Sequence, residues 1–389
     1  MSDLAHPRRP LFLDAGWRAV AAAFVLNGLL FGAWAARVPA FKEGFALEPA
    51  ALGFLLLALA GGAILSFPLA GLLSERWGPE RLSVRCAMGY VPALVLLALM
   101  PGPLALGGAL FLFGAFHGAM DVAMNGWAAR VETRLGRSTM SVFHALFSLG
   151  AGLGAASGFL AVRLGLDPLA HFAVVAMPGG VLALAAMIPA ARGVGAGPVP
   201  GEDTPLIALP TGPLFLVGLI AFAISMGEGA MADWSAVFLR LATGATEAQA
   251  ALGYAVFSTA MVATRLAGDI GVQRFGPVSV TRASGAVAFC GLAIAILSDR
   301  LVPALAGFSL VGVGYAVVMP LVFSRAAREP GMRPGPAIAA VATLAYGGML
   351  LGPAVIGFIA QVTGLRVSFA VLAALAGLAI ILAPRLRVR

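Results

Sequence analysis

The sequence predicts an all-α membrane protein of twelve transmembrane helices, in two six-helix bundles related by a pseudo-twofold repeat. Three observations carry this reading: a composition that water cannot solvate, apolar segments of bilayer-crossing length, and an echo between the two halves of the chain. Of 389 residues, 60% are hydrophobic and 11% charged, with a mean hydropathy of +0.97. Soluble domains carry about 25% charged residues. Folded in water, this chain would leave far too much apolar surface exposed, so its main solvent is lipid.

A hydrocarbon core of ~30 Å asks for about 20 apolar residues per helix. Such segments are read at 17–36, 50–73, 82–100, 103–126, 139–162, 169–190, 213–234, 250–271, 279–298, 302–324, 337–360 and 366–384. The first follows Arg8 and Arg9 and contains Ala33-Trp34-Ala35, which resembles a signal-peptide cleavage site. It is nevertheless long enough to span, and cleavage would break the repeat, so it reads as the first transmembrane helix. Residues 191–212, RGVGAGPVPGEDTPLIALPTGP, are rich in Gly and Pro and lack periodicity. The expected organisation is a first bundle over 1–190, a cytoplasmic linker over 191–212 and a second bundle over 213–389.

The two halves echo each other. GFLAVRLGL at 158–166 returns as GFIAQVTGL at 357–365, and ERWG at 75–78 as QRFG at 273–276. Repeats of this size joined by a linker mark transporters whose site lies between the halves near the midplane. With both termini placed in the cytoplasm, 19 of the 25 Lys and Arg fall on the inner side, including Arg265, and 6 on the outer. The positive-inside rule selects that orientation. The net charge of +8 is spread among the segment ends and forms no stripe or tail, so nucleic acid is not an expected partner.

Polar residues inside the spans are the candidates for function. An ionised Asp at a helix centre costs about 2.5–3.5 kcal/mol on insertion scales. Span 4 nevertheless carries Asp121 on a stripe with Gly114, His117, Gly118 and Asn125, at the i, i+3, i+4, i+7, i+11 positions of one face. His144 on span 5 falls at a similar depth, which predicts an Asp121–His144 contact, direct or through water, as a proton relay. Glu228 stands between Gly227 and Gly229 on span 7, where two weak helix formers favour unwinding, and helical rise places it in the outer half. Asp233 and Trp234 read as outer-interface residues. Asn27, with Phe24, Phe31 and Trp34, offers an amide among aromatic faces suited to a sugar ring. In the second half Tyr315, Thr343 and Tyr346 are candidates, Thr343 standing at the repeat position of His144. The proton-coupling set is thus Asp121, His144 and Glu228, and the solute-binding set Asn27, His117, Asp121, Asn125, Tyr315, Thr343 and Tyr346.

GLLSERWGPERL at 71–82 resembles the loop signature between spans 2 and 3 of the major facilitator superfamily, with Glu75 for the usual Asp and Pro79 at a basic position. The resemblance implies the major facilitator fold and a gate role for Gly71, Glu75, Arg76 and Gly78. WAARVP (34–39), HALFSLG (144–150) and EGAMADW (228–234) resemble a branch of bacterial inner-membrane transporters that includes the rhizopine-associated membrane protein and is related to the fucose permeases. In fucose permeases an acid in span 4 is followed four residues later by Asn, with the acid implicated in sugar and proton binding. Asp121 and Asn125 match that pattern, whereas residues 17–40 contain none of the span 1 acid those permeases use.

The expected protein is a secondary active transporter in the bacterial inner membrane, symporting a small polar solute (a sugar, polyol or inositol-like compound) with protons by alternating access. The alternative is a proton-driven exporter of drug-like or cationic compounds. No HExxH, GxSxG, DDxxD or Walker loop is present, so an enzyme is not expected. Cys86 and Cys290 form no metal pair, and no cofactor or metal is expected beyond the proton gradient. Lipid, solute and proton are the expected partners of a monomeric chain.

Overall fold

The computed structural model describes residues 11–136, 139–192, 212–326, 328–330, 332 and 334–387. The first ten residues and most of the predicted linker lie outside the described residues. The helices are α1 (Ala15–Gly44), α2 (Pro49–Trp77), α3 (Pro79–Leu97), α4 (Pro103–Leu135), α5 (Met140–Arg163) and α6 (Pro168–Arg192) in the first half. The second half holds α7 (Pro213–Thr243), α8 (Glu247–Leu297), α9 (Leu301–Tyr315), α10 (Val318–Ala326), α11 (Pro334–Thr363) and α12 (Leu365–Leu382). Among the described residues, ten helical stretches are long and apolar enough to cross a membrane. The more charged α3 and the first arm of α8 complete the twelve crossings.

Local chemistry sets most boundaries. Proline opens α2, α3, α4 and α7 at the first turn, where its missing N–H has no intrahelical partner to lose. Asp14 caps α1 by accepting from Trp17 N at 2.8 Å, and Thr246 with Gln249 forms a capping box at the start of α8. Spans 8 and 9 are the two arms of α8, joined through Gly276 at φ 75°, a left-handed turn before Pro277. Span 10 is broken between α9 and α10. Pro320 supplies no N–H to the carbonyl of Ala316 four residues earlier, and the helix opens at Ala316–Val317.

In the first half α1 packs on α5, and α2 and α3 pack on α4. The α1–α5 seam is made by glycines: a Cβ at Gly28 would overlap the Phe147 carbonyl, and one at Gly154 the Leu29 carbonyl. Lipid tails are as apolar as the side chains, so such backbone approach is what holds membrane helices together. The halves meet along α2–α11 and α5–α8, with α1 against α7 and α8. The end carrying the starts of α1 and α7 and the ends of α6 and α12 is called the linker end below.

Candidate functional site

The two halves bring polar side chains together near the middle of the bundle. On α4, Asp121 stands about 27 Å along the helix from Pro103 and about 21 Å from Leu135. Its Oδ1 accepts from Asn125 Nδ2 at 3.2 Å, and that same amide donates to the Asp121 carbonyl at 2.8 Å. Its Oδ2 accepts from Tyr346 Oη of α11 at 3.3 Å, a bond that crosses between the halves. Tyr346 is held edge-on to Phe67 and is 41% exposed, so the acid lies beside open space, away from the sealed core. Thr343 lies half-buried one turn before Tyr346 on the same helix.

Deeper in the first half, His117 Nδ1 shares a 3.0 Å hydrogen bond with Tyr90 Oη, and its ring stacks on Phe31 at 5.0 Å. Asn27 is fully buried; its Nδ2 reaches Met124 Sδ at 3.6 Å and its Oδ1 has no partner. A buried amide oxygen without a donor normally costs about 1–3 kcal/mol. The predicted Asp121–His144 contact is not formed. Asp121 turns to Asn125 and Tyr346, while the exposed His144 ring meets Phe24 edge-on at 5.4 Å. The consecutive helices α4 and α5 barely touch: α4 lies on α2 and α3, and α5 on α1 and α8.

A charged cluster in the second half is only partly visible to sequence reasoning. The charge count places Arg265 among the cytoplasmic loop residues. It lies instead within the first arm of α8, about 16 Å from the Gly276 turn, with a side chain 19% exposed. Its Nε donates to the Ala316 carbonyl at 3.1 Å, the acceptor that Pro320 leaves without an N–H. Its Nη1 donates to Ser148 Oγ of the opposite half at 2.8 Å, and its Nη2 faces Glu228 Oε1 at 3.7 Å. Removing Arg265 from the positive-inside count leaves 18 against 6, with the same orientation preferred.

Glu228 sits at the midpoint of α7, 15 residues from Pro213 and 15 from Thr243, not in its outer half, because α7 extends well past the predicted end at 234. Nor does the helix unwind at its flanking glycines. They allow close approach: a Cβ at Gly227 would collide with the Tyr315 ring and hydroxyl, and one at Gly229 would crowd the Met349 carbonyl. Tyr315 is fully buried and its hydroxyl has no hydrogen-bond partner. Asp233 and Trp234 are buried, not interfacial. Trp234 Nε1 donates to the Pro353 carbonyl at 2.9 Å, and Asp233 Oδ1 is unpartnered.

Of the gate-loop residues, Gly71 and Arg76 lie in the last two turns of α2, Glu75 has its backbone there with its side chain outside the described residues, and Gly78 makes the turn to α3 at φ 83°. The acid that pairs across this loop is Glu80, whose Oε2 lies 3.1 Å from Arg130 Nη1 of α4. An acid in the first turn of a helix, directly after its opening proline, is the signal that points to it.

The bonds that tie the halves gather at the end opposite the linker. Arg37, 2% exposed on α1, lies 3.2 Å from Glu247 of α8 and donates to the Leu166 carbonyl at 2.9 Å. Arg240 of α7 reaches Glu43 of α1 at 2.6 Å. Ala50 N donates to Gln361 Oε1 at 3.2 Å, and Phe54 meets Phe358 at 4.9 Å. Two further hydrogen bonds between the halves lie away from that end, Asp121–Tyr346 and Ser148–Arg265.

This architecture is shared with known transporters. A family model described as the Major Facilitator Superfamily matches residues 19–334. The chain is 45% identical to an uncharacterized transporter of Sinorhizobium fredii, over 95% of this chain and 98% of that one. It is 40% identical to an uncharacterized MFS-type transporter from Yersinia pestis, over 91% of each chain, and 32% identical to membrane protein MosC of Rhizobium meliloti, over 89% of this chain and 84% of that one. Among solved structures, a bacterial homologue of the human lysosomal transporter Spinster, in an inward-facing and occupied conformation, superposes with a TM-score of 0.72 at 15% identity, covering 98% of this chain and 97% of that one. The nucleoside transporter NupG superposes with a TM-score of 0.67 at 15% identity, covering 95% of this chain and 97% of that one. The chain is a multi-pass membrane transporter and belongs to the Major Facilitator Superfamily.

Proposed function

We propose that the protein is a proton-coupled symporter of a small polar solute of the sugar or polyol type, working by alternating access. The observation that carries the reading is Asp121: a carboxylate near mid-membrane, beside open space, hydrogen-bonded to the opposite half through Tyr346. A carboxylate placed there is positioned to exchange a proton with the side to which the bundle is open. Its bond to Tyr346 makes its protonation state matter to how the halves meet. When Asp121 is ionised it accepts from Tyr346 and Asn125; when protonated it becomes a donor on one oxygen, and that arrangement must change.

The solute is read to bind among Asn27, His117, Asn125, Thr343 and Tyr346. The unpartnered Asn27 oxygen and the aromatic walls of Phe24 and Phe31 suit a ring with apolar faces and hydroxyl edges. The far end tied by Arg37–Glu247 and Arg240–Glu43 supports reading this conformation as the one open toward the linker end. The test is proton-coupled uptake into liposomes. Solute-dependent acidification of the lumen by wild type, lost in Asp121→Asn, supports symport. Undiminished proton-coupled uptake by Asp121→Asn refutes the role given to that acid. If no solute moves protons while an imposed pH gradient drives a lipophilic cation, the exporter reading replaces this one.

A further inference from the structure

We propose that Arg265, Glu228 and Tyr315 form a carboxylate-recognising subsite, so that the solute is a polyhydroxylated acid whose carboxylate takes the place of Glu228 on Arg265 as Glu228 takes up the proton. This rests on the symport reading and narrows its solute class.

The argument begins with a charge that cannot be discharged. A guanidinium stays protonated in any protein environment, so an intramembrane arginine needs a counter-charge. Two of the Arg265 nitrogens are fixed structurally, Nε on the Ala316 carbonyl and Nη1 on Ser148 Oγ. The third, Nη2, faces Glu228 Oε1 at 3.7 Å, beyond a good hydrogen bond, and that oxygen has no other partner. The ion pair is therefore loose, and a planar acceptor placed beside Nη2 would be held more tightly than Glu228 is.

Beside it stands a second unused donor. The Tyr315 hydroxyl is buried without a partner and abuts the Gly227 backbone, next to Glu228. With Glu228 ionised, the cluster is a neutral Arg–Glu pair. With Glu228 protonated, its carboxyl and the Tyr315 hydroxyl are both donors beside a guanidinium whose charge is no longer balanced. A neutral sugar hydroxyl supplies no charge to offset it, whereas a carboxylate does, through a charge-assisted hydrogen bond from Nη2. The other titratable groups facing this cluster are Tyr254 of α8, which also faces Asp233 of α7, and, beside Arg265, His144 of α5. The exchange balances: one proton enters on Glu228 with one anion on Arg265, and the loaded site carries the same net charge as the empty one.

The experiment uses full-length protein in liposomes, with gluconate and glucuronate tested beside glucose, glucitol and myo-inositol. The expected result is lumen acidification driven by an acid and not by the neutral compounds. Arg265→Gln should weaken apparent affinity for the acid by ~10–100-fold, the loss of a charge-assisted hydrogen bond, with Arg265→Lys intermediate. Glu228→Gln keeps the donors but cannot release a proton, so acid–acid exchange should persist while proton-driven uptake is lost. That variant decides the matter if Arg265→Gln does not fold. Proton-coupled uptake of neutral solutes alone would overturn the subsite and leave the symport reading standing. Acid uptake that Arg265→Lys and Arg265→Gln leave unchanged would overturn it as well. Protons moved by no solute would overturn both readings.

Discussion

Neutralising Glu247 should open the end of the bundle opposite the linker far more than neutralising Glu43. The two acids make superficially similar bonds between the halves, Arg37–Glu247 at 3.2 Å and Arg240–Glu43 at 2.6 Å. The shorter pair is the weaker. Arg240 and Glu43 are 29% and 52% exposed, so water screens them and the pair is worth about 0.5 kcal/mol, a roughly twofold effect. Arg37 is 2% exposed and Glu247 29%. Breaking a buried pair strands a charge at a cost of about 3–5 kcal/mol. Arg37 retains the Leu166 carbonyl and the nearby charge of Asp167, and Glu247 is partly wet, so the discounted figure is about 2 kcal/mol, or roughly thirtyfold. Because both bonds join the halves, their loss acts on the equilibrium between conformations. Spin labels on Glu48→Cys and Val362→Cys, with the exposed Cys290 changed to Ser, would report the separation of the far ends of α2 and α11. Glu247→Gln should shift the distance distribution strongly toward longer values, and Glu43→Gln barely. A larger shift from Glu43→Gln, or none from either, would refute the reasoning.

Other outcomes follow from the same packing. Gly28→Val should lower thermal stability by about 1–3 kcal/mol or more, because its Cβ meets the Phe147 carbonyl and backbone cannot yield. Gly61→Ala, into open space on α2, should be neutral or stabilising by about 0.5–1 kcal/mol; equal melting curves for the two variants would contradict the seam. Trp234→Phe should cost about 1 kcal/mol through loss of the bond to the Pro353 carbonyl, read as a fall in melting temperature with the helix content unchanged. Glu80→Gln should destabilise by about 1–3 kcal/mol by weakening its charge-assisted bonds to Arg130, and added salt should not reproduce the loss, since Glu80 is 3% exposed.

The fold is legible because every signal for it is local. Apolar length marks the crossings, and prolines and left-handed glycines such as Gly78 and Gly276 mark where the chain turns back. The similarity between halves then fixes the architecture. The break in span 10 is written just as locally, in Pro320, whose missing N–H belongs to the Ala316 carbonyl; reading 302–324 as one span passes over it. Lateral neighbours are not legible in this way. Depth alone pairs His144 with Asp121, and depth does not say which helices touch. The partner of Asp121 is Tyr346, 225 residues away and in the other half. Glu228 is misplaced for a different reason. Its depth is measured against an assumed end of the helix, and α7 continues nine residues beyond it, to Thr243.

Arg265 shows where a sequence rule hides the answer. Arginines orient the chain, and the count takes residue 265 for an inner-side charge although the span drawn around it runs to 271. The face rule that singles out Asp121 finds it at once. Tyr254, Ser258, Met261 and Arg265 stand at i, i+4, i+7 and i+11, a single stripe on the first arm of α8. The same spacing from Gly114 gives Gly118, Asp121 and Asn125 on α4. The two stripes serve different ends. That on α4 presents a carboxylate that reaches α11 through Tyr346, and that on α8 presents a guanidinium that reaches α5 through Ser148. Each half thus extends one ionisable group to a hydroxyl of the other, acid to tyrosine and arginine to serine. Any relative motion of the halves must remake both bonds. On the proposed symport reading, a proton or an anion arriving at either stripe would act on the contact between halves directly, with no chain of intermediaries between the site and the moving parts.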